Sequence, residues 1–163
     1  VHFLDTARYL FGEADSLYAH LKRISPHIVG EDVAVAMLDF NGLSCLVDNS
    51  WCSVPESGPN VSWGEVQVEG EEGTAILGRD GVLTLYTDRD RQVWRYEKDT
   101  VARSFVAAQQ HFIDCLETGE EPETSGSETL KTMALVFGAY RSADEGRVVR
   151  VDEMLSIPDE PGR

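Results

Sequence analysis

The sequence predicts an α+β domain: an open, mostly antiparallel β-sheet with helices packed on one face. Three observations carry this. From residue 15 to residue 96, short strand-like runs follow one another through tight turns with no helical pattern between them, which is the order of hairpins and not of βαβ crossovers. At both ends of the chain the apolar spacing changes to the helical period, over residues 2–11 and again beyond residue 99. In the middle, Val66 and Val68 alternate with Glu65, Gln67 and Glu69, so that strand needs one buried and one wet face.

The elements follow in order. His2 to Phe11 sets Phe3, Leu4, Ala7, Leu10 and Phe11 on one side of a helix, and Gly12 stops it. Asp15 to Ile24 reads as a strand and Ser25 to Gly30 as a loop. Asp32 to Phe40 is apolar on both faces, as a strand inside a sheet would be. Asn41-Gly42 then supplies the dipeptide a type I′ hairpin prefers, because both central residues need positive φ, and Leu43 to Asn49 returns. Pro55 to Asn60 is a loop. Trp63 to Glu69, Thr74 to Leu77, Val82 to Tyr86 and Arg91 to Tyr96 are the remaining strands, with a turn at Gly78 to Gly81. A helix capped by Asp99 or Thr100 runs to about Glu117, burying Val101, Phe105, Ala108, Phe112 and Leu116, and Gly119 ends it. Ser125 or Ser127 caps a second helix in a capping-box pattern with Glu128; its buried stripe is Leu130, Met133, Ala134, Phe137 and Tyr140, and Gly146 ends it. A short strand, Val148 to Val151, returns to the sheet. Residues 1–157 form a single domain and 158–163 a loose tail.

Composition narrows the function. With 14 Lys and Arg against 29 Asp and Glu the net charge is −15, the wrong sign for nucleic acid or an anionic membrane. No stretch approaches the ~18 apolar residues of a membrane span. Cys45, Cys52 and Cys115 offer no CxxC and an odd count, so no disulfide framework is evident and a reducing, cytoplasmic setting is the default. The dinucleotide GxGxxG, the P-loop, the GxSxG elbow and HExxH are all missing from the sequence, so this chain alone is expected to hold no nicotinamide or nucleotide cofactor through those devices.

What remains is an echo. The chain reads HFLD at His2 to Asp5 and HFID at His111 to Asp114. Residues three apart on a helix are neighbours, and a carboxylate beside an imidazole orients it and raises its affinity for a proton, which suits proton transfer near neutral pH. The same spacing is equally met by a solvated helix end, and the second copy, beside an apolar stripe, reads as structural. Were both pairs to converge, two imidazoles and two carboxylates would suit a metal. Trp51, after Asp48-Asn49-Ser50 at a strand end, pairs a ring with polar neighbours that could line a pocket.

Three stretches in order resemble one family. VHFLDTARYLFGE resembles the helix after the catalytic segment of Gfo/Idh/MocA oxidoreductases. VEGEEGTAILGRDGVLTLY resembles the family's glycine-turn hairpin, and the run from SFVAAQQHFIDCLETG through YRSADEGRVV resembles its C-terminal helices. The resemblance spans Val1 to Val151 and implies the C-terminal half of a two-domain enzyme, with a Rossmann half binding NAD or NADP lying outside this sequence. It implies a fold of the glucose-fructose oxidoreductase C-terminal (dihydrodipicolinate-reductase-like) type. It implies catalysis on a sugar, polyol or related hydroxyl compound and a homo-oligomer formed through the sheet face. His2 falls where the family's catalytic histidine stands. Asp5 takes an orienting or structural role beside it, and His111 matches no catalytic position. The alternative is a non-catalytic α+β binding or dimerisation module.

Overall fold

The computed structural model describes residues 1–52, 64–97 and 99–156. They divide into two compact units, one built from residues 1–52 and 123–156, the other from residues 64–97 and 99–122. The expected 55–60 loop, the start of the strand at Trp63 and the tail from residue 157 lie outside the described residues.

In the first unit α1 (His2–Phe11) leads through Gly12, at φ 85°, into β1 (Ser16–Lys22). β1 pairs with β2 (Val33–Phe40), which pairs with β3 (Leu43–Ser50). The turn between β2 and β3 has both central residues at positive φ, Asn41 at 42° and Gly42 at 100°, as that hairpin requires. α3 (Gly126–Glu145) follows from the other unit. β8 (Val149–Arg150) then pairs antiparallel with β1, giving the order β3-β2-β1-β8, and a short helix α4 (Asp152–Leu155) closes the unit.

The pleat sorts the side chains. Leu17 and Ala19 lie opposite Leu38 and Ala36, and these lie opposite Cys45 and Val47. This face forms the core with Leu4 and Ala7 of α1 and Ala134 and Leu135 of α3. The opposite face is open: Tyr18, Met37 and Leu46 sit side by side across three strands, and all are exposed. Within this unit the helices cover one face of the sheet, as expected.

α3 turns a different side inward from the one its apolar spacing suggests. Thr132, Ala134, Leu135, Gly138 and Ser142 are buried, while Leu130, Phe137 and Tyr140 are exposed. The reason is close approach. A Cβ on Gly138 would stand 3.2 Å from Leu17 Cδ2, so the helix lies too near the sheet for a larger residue to enter unopposed. Ser142 also serves the sheet: β8 pairs only as far as Leu17, and the Ala19 N–H beyond it donates to Ser142 Oγ at 2.9 Å.

The second unit holds β4 (Val66–Gly70), β5 (Gly73–Leu77), β6 (Val82–Thr87) and β7 (Arg91–Arg95), an antiparallel meander in that order, followed by α2 (Thr100–Thr118). The antiparallel α+β class holds, and among the described residues the strands divide between two four-stranded sheets and not one. Alternation identifies a strand but does not say which ladder it joins. Helix α2 corrects another expectation. Phe105, Phe112 and Leu116 of its predicted core stripe are exposed, and only Cys115 is buried. Periodicity says which side of a helix seeks a partner, not whether the chain provides one.

Candidate functional site

α1 is ten residues long, and Val1 at its start makes no side-chain cap. So short a helix is held by packing and by polar ties to its neighbours. Leu4 and Ala7 bury one side. The polar ties run through Arg8, whose side chain is only 8% exposed.

Every donor of that guanidinium is used. Nε and Nη2 grip the two oxygens of Glu13 at 2.9 and 2.7 Å, and Nη2 also donates to Glu128 Oε2 at 2.9 Å. Nη1 donates to the Glu128 carbonyl at 3.1 Å and to Thr132 Oγ1 at 2.7 Å. A forked, always-charged donor suits such bidentate capture. The consequences appear in the partners. Hydrogen bonding to Arg8 holds the Glu13 carboxyl below the usual carboxylate range. Glu128 is held low chiefly by Lys131, 2.7 Å away, and then by Arg8. The Arg8 proton is bound more firmly than usual, chiefly through Glu13. Glu128 is thereby diverted from the full capping box: Ser125 does accept from the Glu128 N–H at 3.3 Å, but the Glu128 carboxylate turns to Arg8 and Lys131.

Asp5 joins this cluster. Its Oδ1 accepts from Thr132 Oγ1 at 2.5 Å and stands 3.7 Å from Arg8 Nη1. His2 is exposed one turn earlier, and its carbonyl accepts from the Thr6 hydroxyl at 2.9 Å.

Trp51 stands in a separate group. Its N–H donates to the Asp32 carbonyl at 2.9 Å, and its ring is 85% exposed. Asp32 is 2% exposed, and its carboxylate accepts from the Ser25 N–H at 2.5 Å and the Ile24 N–H at 2.7 Å. The Ser25 bond is the main reason its carboxyl lies below the usual range. The register puts Trp51 beyond Ser50, opposite Val33, while the Asp15–Asp39 bond marks the other end of the same strands.

In the second HFID, Asp114 accepts from Gln110 Nε2 at 2.7 Å, and the His111 ring lies 3.7 Å from Cys115 Sγ. Among the described residues no group of three or more His, Cys, Asp or Glu side chains is placed to hold a metal. Sequence reasoning singled out His2 and Asp5 but missed Arg8, Glu13 and Thr132. The available signal was the Asp5, Arg8, Glu13 charge series; Thr132 gave none, because its importance depends on which side α3 turns inward.

The same chain matches known proteins over nearly its whole length. The model of the oxidoreductase family's C-terminal alpha/beta domain matches residues 1–151. D-apiose dehydrogenase of Paraburkholderia graminis is 38% identical over 167 residues, covering 94% of this chain and 44% of that protein. The D-apiose dehydrogenase of Rhizobium rhizogenes is 35% identical, covering 95% and 48%. A solved oxidoreductase from Agrobacterium radiobacter, in complex with NAD+, L-tartaric acid and magnesium, superimposes with a TM-score of 0.84 at 34% identity, covering 94% of this chain and 48% of that one. The chain thus spans about half the length of the curated relatives it matches. With the fold, the HFLD helix and these matches in agreement, the chain belongs to the Gfo/Idh/MocA oxidoreductase family, as its C-terminal domain.

Proposed function

We propose that this chain is the substrate-binding half of an NAD(P)-dependent dehydrogenase that oxidises a sugar or polyol hydroxyl. The observation that carries the reading is its 38% identity, over 94% of its length, to a D-apiose dehydrogenase. A nicotinamide cofactor, when bound by the whole protein, accepts the hydride from the carbinol carbon. Among the described residues, positive-φ glycines stand at turns and helix ends, Gly12, Gly119 and Gly146 among them.

The role of this chain is at the hydroxyl. As the C–H pair leaves as hydride, the O–H proton must leave too, and His2 accepts it as the carbonyl forms; in the reverse direction His2 returns it. His2 is exposed in the first turn of α1. Trp51 supplies an apolar wall in the same proposal. It stands at the end of β3 farther from Phe40, just as His2 stands at the end of α1 farther from Phe11, which packs edge-on against Phe40 at 5.9 Å.

The open face of the first sheet is the oligomer surface in this reading. Tyr18, Met37 and Leu46 form a continuous apolar row there, the kind of patch that marks an interface. A cytoplasmic location completes the proposal, resting on a sequence with three cysteines and no CxxC, which offers no disulfide framework.

The test is spectrophotometric. The full-length protein carrying this chain should reduce NAD+ or NADP+ with D-apiose or myo-inositol. No reduction with either cofactor across a panel of aldoses and polyols would favour a non-catalytic binding module instead.

A further inference from the structure

We infer that Thr132, on α3, is a positioning residue for His2, acting through Asp5. The inference rests on the proposed role of His2 and adds a residue that touches neither substrate nor cofactor.

The geometry fixes the direction of the relay. A threonine hydroxyl in a helix ordinarily donates to the carbonyl four residues earlier. For Thr132 that acceptor is the Glu128 carbonyl, and Arg8 Nη1 already donates to it at 3.1 Å. The same Nη1 donates to Thr132 Oγ1 at 2.7 Å. A guanidinium has no acceptor, so the Thr132 hydroxyl receives from Arg8 and must send its own proton elsewhere. It sends it to Asp5 Oδ1, 2.5 Å away. Thr132 is 3% exposed, so its hydroxyl is shielded from water, and the Asp5 side chain, 64% exposed, supplies the acceptor.

The effect is on the orientation of α1. Asp5 lies one turn from His2, and residues three apart share a helix face. Holding Asp5 against α3 therefore fixes the rotation of the first turn about its axis, and with it the direction in which His2 leaves the helix. The anchor is itself rigid, because Arg8 has all of its donors engaged. Asp5 thus serves His2 by securing the helix, with its Oδ1 turned to α3.

The experiment uses the full-length protein with Thr132→Val, which keeps the shape and removes the hydroxyl, and Thr132→Ser, which restores it. D-apiose with NAD+ is the kinetic probe. Misplacement of a reacting group by less than an ångström is expected to lower kcat about 10-fold, with the KM for NAD+ unchanged, and Thr132→Ser should recover most of the rate. A second readout needs no substrate: the imidazole NMR resonance of His2 should move in Thr132→Val and return in Thr132→Ser. A Thr132→Val protein that is less stable yet keeps wild-type kcat, or an unmoved His2 resonance, overturns the inference. If wild type does not oxidise D-apiose, the proposed substrate falls while the NMR comparison still decides the positioning role. If His2→Gln is fully active, the catalytic role fails and the inference with it.

Discussion

Replacing Ser142 by Ala removes one oxygen and strands one buried donor. Ser142 is fully buried, and its hydroxyl both accepts from the Ala19 N–H at 2.9 Å and donates to the Arg147 carbonyl at 2.6 Å. Ala19 is itself 2% exposed, so its N–H has no route to water once the hydroxyl is gone. An orphaned buried amide costs about 1–3 kcal/mol. The Arg147 carbonyl, in a half-buried turn residue, rehydrates and adds at most about 0.5 kcal/mol by the same reckoning. The volume lost is a single oxygen, so the cavity contribution is small. The expected destabilisation is about 1–3.5 kcal/mol, which at an ordinary urea dependence moves the midpoint by about 0.5–1.5 M. The assay is urea unfolding of wild type, Ser142→Ala and, as a control, Ser104→Ala. Among the described residues the Ser104 hydroxyl bonds only to the Val101 carbonyl, on an exposed helix, and its removal should stay within about 0.5 kcal/mol. If the two variants unfold together, the account of how α3 completes the β1 edge is wrong.

The other predictions concern charge, turns and the open face. Glu13 has its carboxyl lowered from the ordinary 4.5 in the folded protein, so the stability from its pair with Arg8 is complete above that value and lost as pH falls below it. Glu13→Gln should therefore flatten the acid limb of a stability–pH curve below about pH 4.5, and an unchanged limb would contradict the sign. Gly73→Ala places a Cβ into the Tyr86 carbonyl across the β5–β6 ladder; a loss of about 2–3 kcal/mol is expected, read by thermal melting, and a neutral effect would refute the contact. Met37→Glu puts a charge in the middle of the Tyr18–Met37–Leu46 row and, if the proposed oligomer forms through this face, should shift it towards monomer in sedimentation velocity without unfolding it. An unchanged sedimentation coefficient would remove that face from the interface.

Much of the fold was legible because it rests on short-range rules. α1 spans His2–Phe11 as its apolar spacing dictates, Asn41-Gly42 takes the positive φ values its chemistry allows, and Val66 and Val68 are more buried than Gln67 and Glu69. The misreadings have a common cause. The α3 stripe was assigned from its large apolar residues, whereas the sheet accepts Thr132, Gly138 and Ser142 because small side chains permit close approach and hydroxyls satisfy edge groups. In α2 the stripe exists but its partner is not among the described elements of its unit. α4 was not anticipated, since four residues carry too little periodicity to register. At the candidate site, HFLD singled out the first turn of α1, but the cluster that ties α1 to α3 depends on Glu128 and Thr132, more than 120 residues from HFLD in the chain. Spacing rules do not reach across such a separation.

The central claim is that His2 handles the hydroxyl proton of a sugar-oxidising enzyme. The most direct measurement is the pH dependence of kcat for D-apiose oxidation by the full-length protein, wild type against His2→Gln. Loss of a positioned general base costs about 10²–10⁴-fold, so the account predicts a fall of at least about 100-fold. A His2→Gln enzyme that retains the wild-type rate and the same pH profile would contradict it.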